Sequence, residues 1–250
     1  MHRFFVPPDW LEGDRVTIIG SLVHQLRNVL RLGPGDHIVV LDNSGWEREV
    51  EIARIGKEHV SGQVVAKRLA SGEPRTKITL YQGVLKGSHF EFVLQKGTEL
   101  GIVEFVPLIS DRCVIASLGD VDKKRERWQR IILEAAEQSR RGRLPSLRPA
   151  LLFRPACESA CRAGLSLISW EEAHDMEGAT SLRSVLRGAK QPPFSVSVFV
   201  GPEGGFTPDE VELARQYSLI PIGLGSRILR AETAGLVTTE AILYELGDLE

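Results

Sequence analysis

From Lys77 onward the sequence alternates apolar, β-rich runs with stretches of helical periodicity, and this rhythm constrains the fold more than any other feature. Runs at 78–82, 103–109, 165–169, 196–200 and 219–224 read as strands. Helices lie between them, with capping-box spacing at Ser88/Glu91 and at Thr207-Pro208-Asp209-Glu210, the second with proline at the first helical position. Length and apolar periodicity predict further helices over about 123–141 and 232–246. Strands that alternate with helices build a mostly parallel α/β sheet.

The first seventy residues follow a different rhythm. Short β segments at 16–19, 37–41, 48–55 and 59–65 are separated by turn residues at Gly33-Pro34-Gly35, Asn43-Ser44-Gly45 and Gly56, a spacing that suggests a small barrel. One helix interrupts them at 21–32, with Leu22, Leu26, Val29 and Leu30 on one face and Arg27 and Arg31 elsewhere. The stretch Ala70-Ser71-Gly72-Glu73-Pro74 reads as a linker, so the expected domains are 1–72 and 77–250.

Composition removes several classes. With 42% hydrophobic and 26% charged residues among 250, the chain is neither disordered nor collagen-like. No apolar run approaches 18 residues and the first fifteen lack a secretory pattern, so the expectation is a cytoplasmic protein with no membrane span. Cys113, Cys157 and Cys161 lack the spacing and neighbours of a metal site and read as buried, reduced thiols. His24, His89 and His174 stand apart and read as core or surface histidines rather than ligands.

The net charge of -2 hides a strong asymmetry. Residues 123–148 carry nine Lys/Arg against three acids, whereas 201–250 carry three against nine. Arginine outnumbers lysine 23 to 8, and its planar fork suits phosphate and base edges. A solvated helix face explains the basic stretch equally well. Trp10 and Trp46 can stack on RNA bases or pack at a core edge, and both readings stand.

Two segments can carry chemistry. Phe199 to Phe206 leaves an apolar strand and enters a capped helix, with Gly201, Gly204 and Gly205 permitting close backbone approach to a ligand. Their spacing is not that of a dinucleotide or P-loop fingerprint, and a tight strand-to-helix turn is the plain alternative. The second segment, 224–234, follows the last strand and holds Arg227, Arg230, Glu232 and Thr233. Both lie at the carboxyl ends of strands, where open α/β sheets bind ligands. The arginines can pair with an anionic substrate, and Glu232 can accept a proton or cap the last helix.

GPEGGF at 201–206 together with LGSRILRAETA at 224–234 resembles the RsmE family of ribosomal RNA methyltransferases in the SPOUT superfamily. The likeness extends over RFF at 3–5, HQLRNVLRL at 24–32, LQKGTELG at 94–101, Pro107 to Arg112, AAEQSRRGRLP at 135–145 and Ser169-Trp170-Glu171-Glu172. It implies an N-terminal PUA-like β-barrel for RNA docking, a C-terminal α/β domain with a deep trefoil knot, and a homodimer. It also implies S-adenosylmethionine bound by three loops. Ser169 and Trp170 would form the first, Gly201, Pro202, Glu203, Gly204 and Gly205 the second, and Leu224, Gly225, Ser226, Ile228, Leu229 and Arg230 the third.

The implied reaction methylates N3 of a uridine in 16S rRNA, near the decoding centre of the small ribosomal subunit, without a metal. N3–H is weakly acidic and its anion spreads onto O2 and O4, so a cation beside either oxygen promotes its loss. Arg230 is the first candidate for that cation, Arg227 the second, and Glu232 the candidate base. Arg3, Arg27 and Arg31, with Arg140, Arg141 and Arg143, are candidate RNA contacts. Two other readings remain: a knotted methyltransferase acting on another RNA such as tRNA, and a non-catalytic ribosome assembly factor.

Overall fold

Short β segments cannot bury a face alone, and in the computed structural model those of the N-terminal region pair into one six-stranded sheet. The structure describes residues 1–114, 117–175, 180–189 and 191–249. Two units emerge, Met1–Glu73 with Ala136–Leu144, and Pro74–Ala135 with Pro145–Glu250. The first contains β1 (His2–Phe5), β2 (Leu11–Glu12), β3 (Arg15–Ile19), α1 (Ser21–His24), β4 (His37–Leu41), β5 (Trp46–Ile55) and β6 (His59–Leu69). The strand order is β1-β4-β5-β6-β3-β2, antiparallel except that β1 lies parallel to β4. Phe4, Ile18, Leu26, Val40, Val50 and Val60 meet in its core.

The helix expected over 21–32 is shorter and changes pitch. After α1 the chain continues as a π-helical turn, Gln25–Val29, in which the Leu30 N–H bonds to the Gln25 carbonyl five residues back at 2.9 Å. The wider turn keeps Leu26 in the core and leaves Val29 exposed, against the expected face. Arg31, at φ 55°, ends it in the left-handed region.

The second unit contains β7 (Lys77–Gly83), α2 (His89–Leu100), β8 (Glu104–Ile109), α3 (Leu118–Asp122), α4 (Arg125–Gln138), β9 (Ser146–Leu147), β10 (Leu151–Leu152), α5 (Phe153–Ala160), β11 (Leu165–Ser169), β12 (Thr180–Ser181), α6 (Leu182–Gly188), β13 (Ser195–Val200), α7 (Pro208–Gln216), β14 (Ile220–Gly223) and α8 (Ala231–Glu245). Its parallel sheet runs β10-β8-β7-β13-β11-β14-β12, with β9 also on β8. Both faces are buried: Val196, Val198 and Val200 of β13 enter one core, and Phe199 enters the other, stacked on Tyr81 at 4.3 Å. The last strand and last helix differ from the expected bounds by a residue or two.

Two cap signals diverge. Thr207 forms the expected box, its Oγ1 accepting from the Glu210 N–H at 3.2 Å while Glu210 accepts from the Thr207 N–H at 2.9 Å. Ser88 precedes α2 without a side-chain cap, its φ -95° and ψ 1° lying outside the extended region usual for a capping residue, and the Glu91 side chain pairs with Arg127 at 2.7 Å. Among the described residues no helix is long and apolar enough to cross a membrane.

Candidate cofactor pocket

Parallel β11, β13 and β14 end side by side at Ser169, Val200 and Gly223, and the loops that leave them enclose a cavity of about 640 Å³. Backbone packing sets its glycine wall. A Cβ on Gly83, at the end of β7, would overlap the Pro202 nitrogen, and one on Gly201 would stand 2.9 Å from the Gly205 carbonyl carbon. Gly205 has φ +67°, and a Cβ there would meet Glu171 Oε1 at 2.6 Å. Backbone overlap excludes a side chain at Gly83 and Gly201, and the positive φ strains one at Gly205.

Hydrogen bonds hold this wall from outside. The Lys86 N–H donates to Glu203 Oε1 at 2.8 Å, and Arg112 Nη1 donates to the Gly204 carbonyl at 2.7 Å. Glu210, already in the capping box, also accepts from the Asp111 N–H at 2.9 Å. The Trp170 N–H donates to the Ile222 carbonyl at 3.1 Å, tying the β11 exit to β14. Beside it Ser169 Oγ is buried with no hydrogen-bond partner among the described residues, which is costly for a hydroxyl unless something bound in the cavity meets it.

The opposite wall is loop 224–230, and it is open. Gly225 sits at φ +99°, a backbone conformation that side chains rarely adopt. Ile228 is 89% exposed although apolar, while Leu229 packs on the core. The Arg230 side chain is 82% exposed, 3.9 Å from Glu232. Glu232 is 13% exposed in the first turn of α8, 3.3 Å from His89 Nδ1. It is not the N-cap residue; Arg230 holds that position without a side-chain cap.

The cavity therefore gathers Ser169, Trp170, Gly201, Pro202, Glu203, Gly205 and the whole stretch from Leu224 to Glu232, including Gly225, Ser226, Arg227, Ile228, Leu229 and Arg230. Gly204 is the exception: it turns away and faces the Arg112 stem, 3.1 Å from where its Cβ would be. Lys86, His89 and Glu171 also line the cavity, although the sequence assigns none of them to the site: His89 reads there as a core or surface histidine and Glu171 only as part of the family likeness. Their position after β7 and β11 becomes a signal only once the strand order is known.

Two of the proposed RNA arginines are absorbed by the fold. Arg3 pairs with Glu47, which also binds Arg68, and Arg141, 3% exposed, makes a two-pronged contact with Glu73 at 2.8 Å. Burial alone would raise both carboxylates, but Arg68 and Arg3 at Glu47, and Arg141 with the Arg143 and Gly142 N–H groups at Glu73, outweigh it and hold them below their ordinary values. Arg3 and Arg141 are structural ion-pair members, a correction to the RNA assignment. Arg27, Arg31, Arg140 and Arg143 are exposed. Of the cysteines, Cys113 and Cys157 are buried, the latter pushed up to about 12 by burial, then by Glu210; Cys161 is exposed, against expectation.

Residues 72–243 match the family model of the RNA methyltransferase domain, and residues 20–65 that of the RNA methyltransferase PUA domain. The ribosomal RNA small subunit methyltransferase E of Bacillus subtilis is 35% identical over 98% of this chain and 97% of its own. The chain belongs to the ribosomal RNA small subunit methyltransferase E family. Its N-terminal unit is accordingly PUA-like and its parallel-sheet unit is of the SPOUT methyltransferase type. The crystal structure of the Neisseria gonorrhoeae family member bound to S-adenosyl methionine superposes with a TM-score of 0.86 at 30% identity, covering 98% of this chain and 97% of that one. A methyltransferase from Legionella pneumophila in complex with the same cofactor gives 0.83 at 29%, covering 97% and 96%.

Proposed function

We propose that this chain transfers a methyl group from S-adenosylmethionine to N3 of a uridine in 16S rRNA, near the decoding centre of the small ribosomal subunit. It would act as a homodimer in the cytoplasm. The observation that carries the reading is the cavity itself, walled by glycine backbone on one side and by an arginine-bearing loop on the other. The cradle of Gly201 and Gly205 and the partnerless Ser169 hydroxyl suit a ligand rich in polar edges, as the cofactor is. When bound, S-adenosylmethionine supplies an electrophilic methyl on a sulfonium.

The chain's own residues then have three tasks. The glycine wall and the Ser169 hydroxyl orient the donor, and Trp170, 9% exposed, helps exclude water beside it. Glu232 takes the N3 proton. Arg230 stabilises the charge that spreads to O2 or O4, and its exposed, loosely paired side chain is free to reach a substrate; Arg227 is the second cation. Arg27, Arg31, Arg140 and Arg143 contact RNA phosphates.

The domain assignment and the knot belong to the same reading. Residues 1–72 serve RNA docking and 77–250 catalysis, with 136–144 clustering with the former. A trefoil path is supported by the way the chain leaves β14, beyond β11, and returns to pack α8 on α2, β7 and β13. Mass-resolved nucleosides from the ribosomes of a deletion strain test the function. Loss of 3-methyluridine from 16S rRNA is the expected result. Loss from tRNA instead would redirect the substrate, and no lost methyl group would leave an assembly factor.

A further inference from the structure

The PUA-like unit carries a surface that has no part in the cavity. Past Gln63, where pairing with β3 ends, β6 has β5 on one side and no strand on the other among the described residues. Beyond the bulge at Val65, Lys67 and Leu69 share one exposed face, Leu69 at 67%. Trp46 lies directly across from Leu69, so its indole is on the same face. That ring is 38% exposed, with Lys67 Nζ 4.9 Å from its centroid.

A cation from a distant part of the chain is fixed at the turn that precedes this tryptophan. Arg143 Nη2 donates to the Ser44 carbonyl at 3.1 Å, and the Leu144 N–H to Asn43 Oδ1 at 2.8 Å. Gly45, at φ +89°, leaves room for the guanidinium; a Cβ there would stand 2.8 Å from Nη2. Glu73 accepts from the Gly142 and Arg143 N–H groups at 3.0 and 3.1 Å, so the segment is held before any ligand arrives. Three carboxylates of the β4–β5 hairpin near this turn are occupied: Asp42 with Arg48 at 3.1 Å, Glu47 with Arg3 and Arg68, and Glu49 with His37 at 2.8 Å. Among the described residues neither Lys67 nor the Arg143 guanidinium has a carboxylate partner.

An exposed indole with one unneutralised cation over its ring and another held at the turn that precedes it suits an unpaired nucleic-acid strand, because its bases offer a free π face and its phosphates lie one nucleotide apart. A duplex hides those faces. We propose that the face formed by Trp46, Lys67 and Arg143 docks a single-stranded segment of the substrate RNA, one base stacked on Trp46 and adjacent phosphates on the two cations. The proposal rests on the RNA-methylation reading and adds to it a docking surface that shares no residue with the cofactor cavity.

The test uses the full chain and a short fluorescein-labelled oligouridylate, with a duplex of equal length as comparison. Methylation of small subunits by the parent protein is measured first, so failure of the underlying reading shows there, independently of the docking variants. Trp46→Ala is expected to weaken single-strand binding about tenfold and Trp46→Phe far less. Lys67→Ala and Arg143→Ala should each lower the salt slope by about one while their unfolding stays cooperative. Parental affinity in a folded Trp46→Ala, or a parent that prefers the duplex, overturns the proposal and leaves the exposed β6 edge to a protein partner.

Discussion

The two walls of the cavity are built in opposite ways. The glycine wall, 201–206, is held by Arg112, the Lys86 N–H and the Thr207 capping box, and its backbone approaches are too close for a Cβ. The facing loop, 224–230, has an exposed isoleucine, an exposed arginine and an uncapped helix start. Preorganised backbone suits a cofactor of fixed shape, whereas a loosely contacted loop suits a large substrate that arrives separately. The first wall should therefore control cofactor affinity, and the second should control rate.

The largest expected effect tests the open wall. Arg230→Ala should lower the single-turnover methylation rate at least ~10²-fold, as removal of one preorganised donor does, with cofactor affinity nearly parental. Lysine should rescue only in part, since a point charge lacks the fork. Glu232→Gln should be slow at neutral pH and recover as the pH rises and solvent takes the N3 proton. A pH–rate profile of unchanged shape would return Glu232 to a helix-start role, and parental rates in Arg230→Ala would move the cation to Arg227 or to a partner subunit.

Within the braced wall the glycines should differ. Gly201→Ala drives a methyl group into the Gly205 backbone, and calorimetry should show S-adenosylmethionine affinity falling at least about tenfold. Gly204→Ala meets no backbone, only Arg112 Cβ at 3.1 Å, a milder contact, and should stay within about threefold of the parent. Equal losses at both would mean that the wall collapses as one piece.

That distinction between glycines was illegible in the sequence. GPEGGF marks a loop that needs small residues, but which glycine faces the ligand depends on Gly83 and Arg112, contributed by β7 and by the segment after β8. β7, β8, β11, β13 and β14 and the Thr207 cap are legible because each is a local pattern of propensity and spacing, whereas the two-residue strands β9, β10 and β12 are too short to carry one. Arg3 and Arg141 were misread because their carboxylate partners lie 44 and 68 positions away. β1 was missed for a related reason: HRFF has little strand signal of its own and is ordered by parallel pairing with β4.

Capping offers a smaller contrast with opposite signs on the two walls. Thr207→Ala removes a cap worth about 1 kcal/mol and should lower the melting temperature by about 2–4 °C. Arg230→Ser places a good capping residue at an uncapped helix start and should raise it by a similar or smaller amount while methylation is lost. A stabilised and active Arg230→Ser variant would remove the functional reason for an arginine there.

The smallest effect isolates the brace. Arg112 is outside the cavity and reaches the wall only through the Gly204 carbonyl, so Arg112→Ala removes one charge-assisted hydrogen bond and the contact over that glycine. The carbonyl can still bond to water, so the loss should be near 1 kcal/mol, about fivefold in affinity. It should appear as a higher KM for S-adenosylmethionine with kcat unchanged, because the bond is present before and during transfer alike. Lysine should restore part of it, since an ammonium can also donate to the carbonyl. If kcat falls while cofactor affinity holds, the glycine wall shares in the chemical step, and the division of labour between the two walls fails.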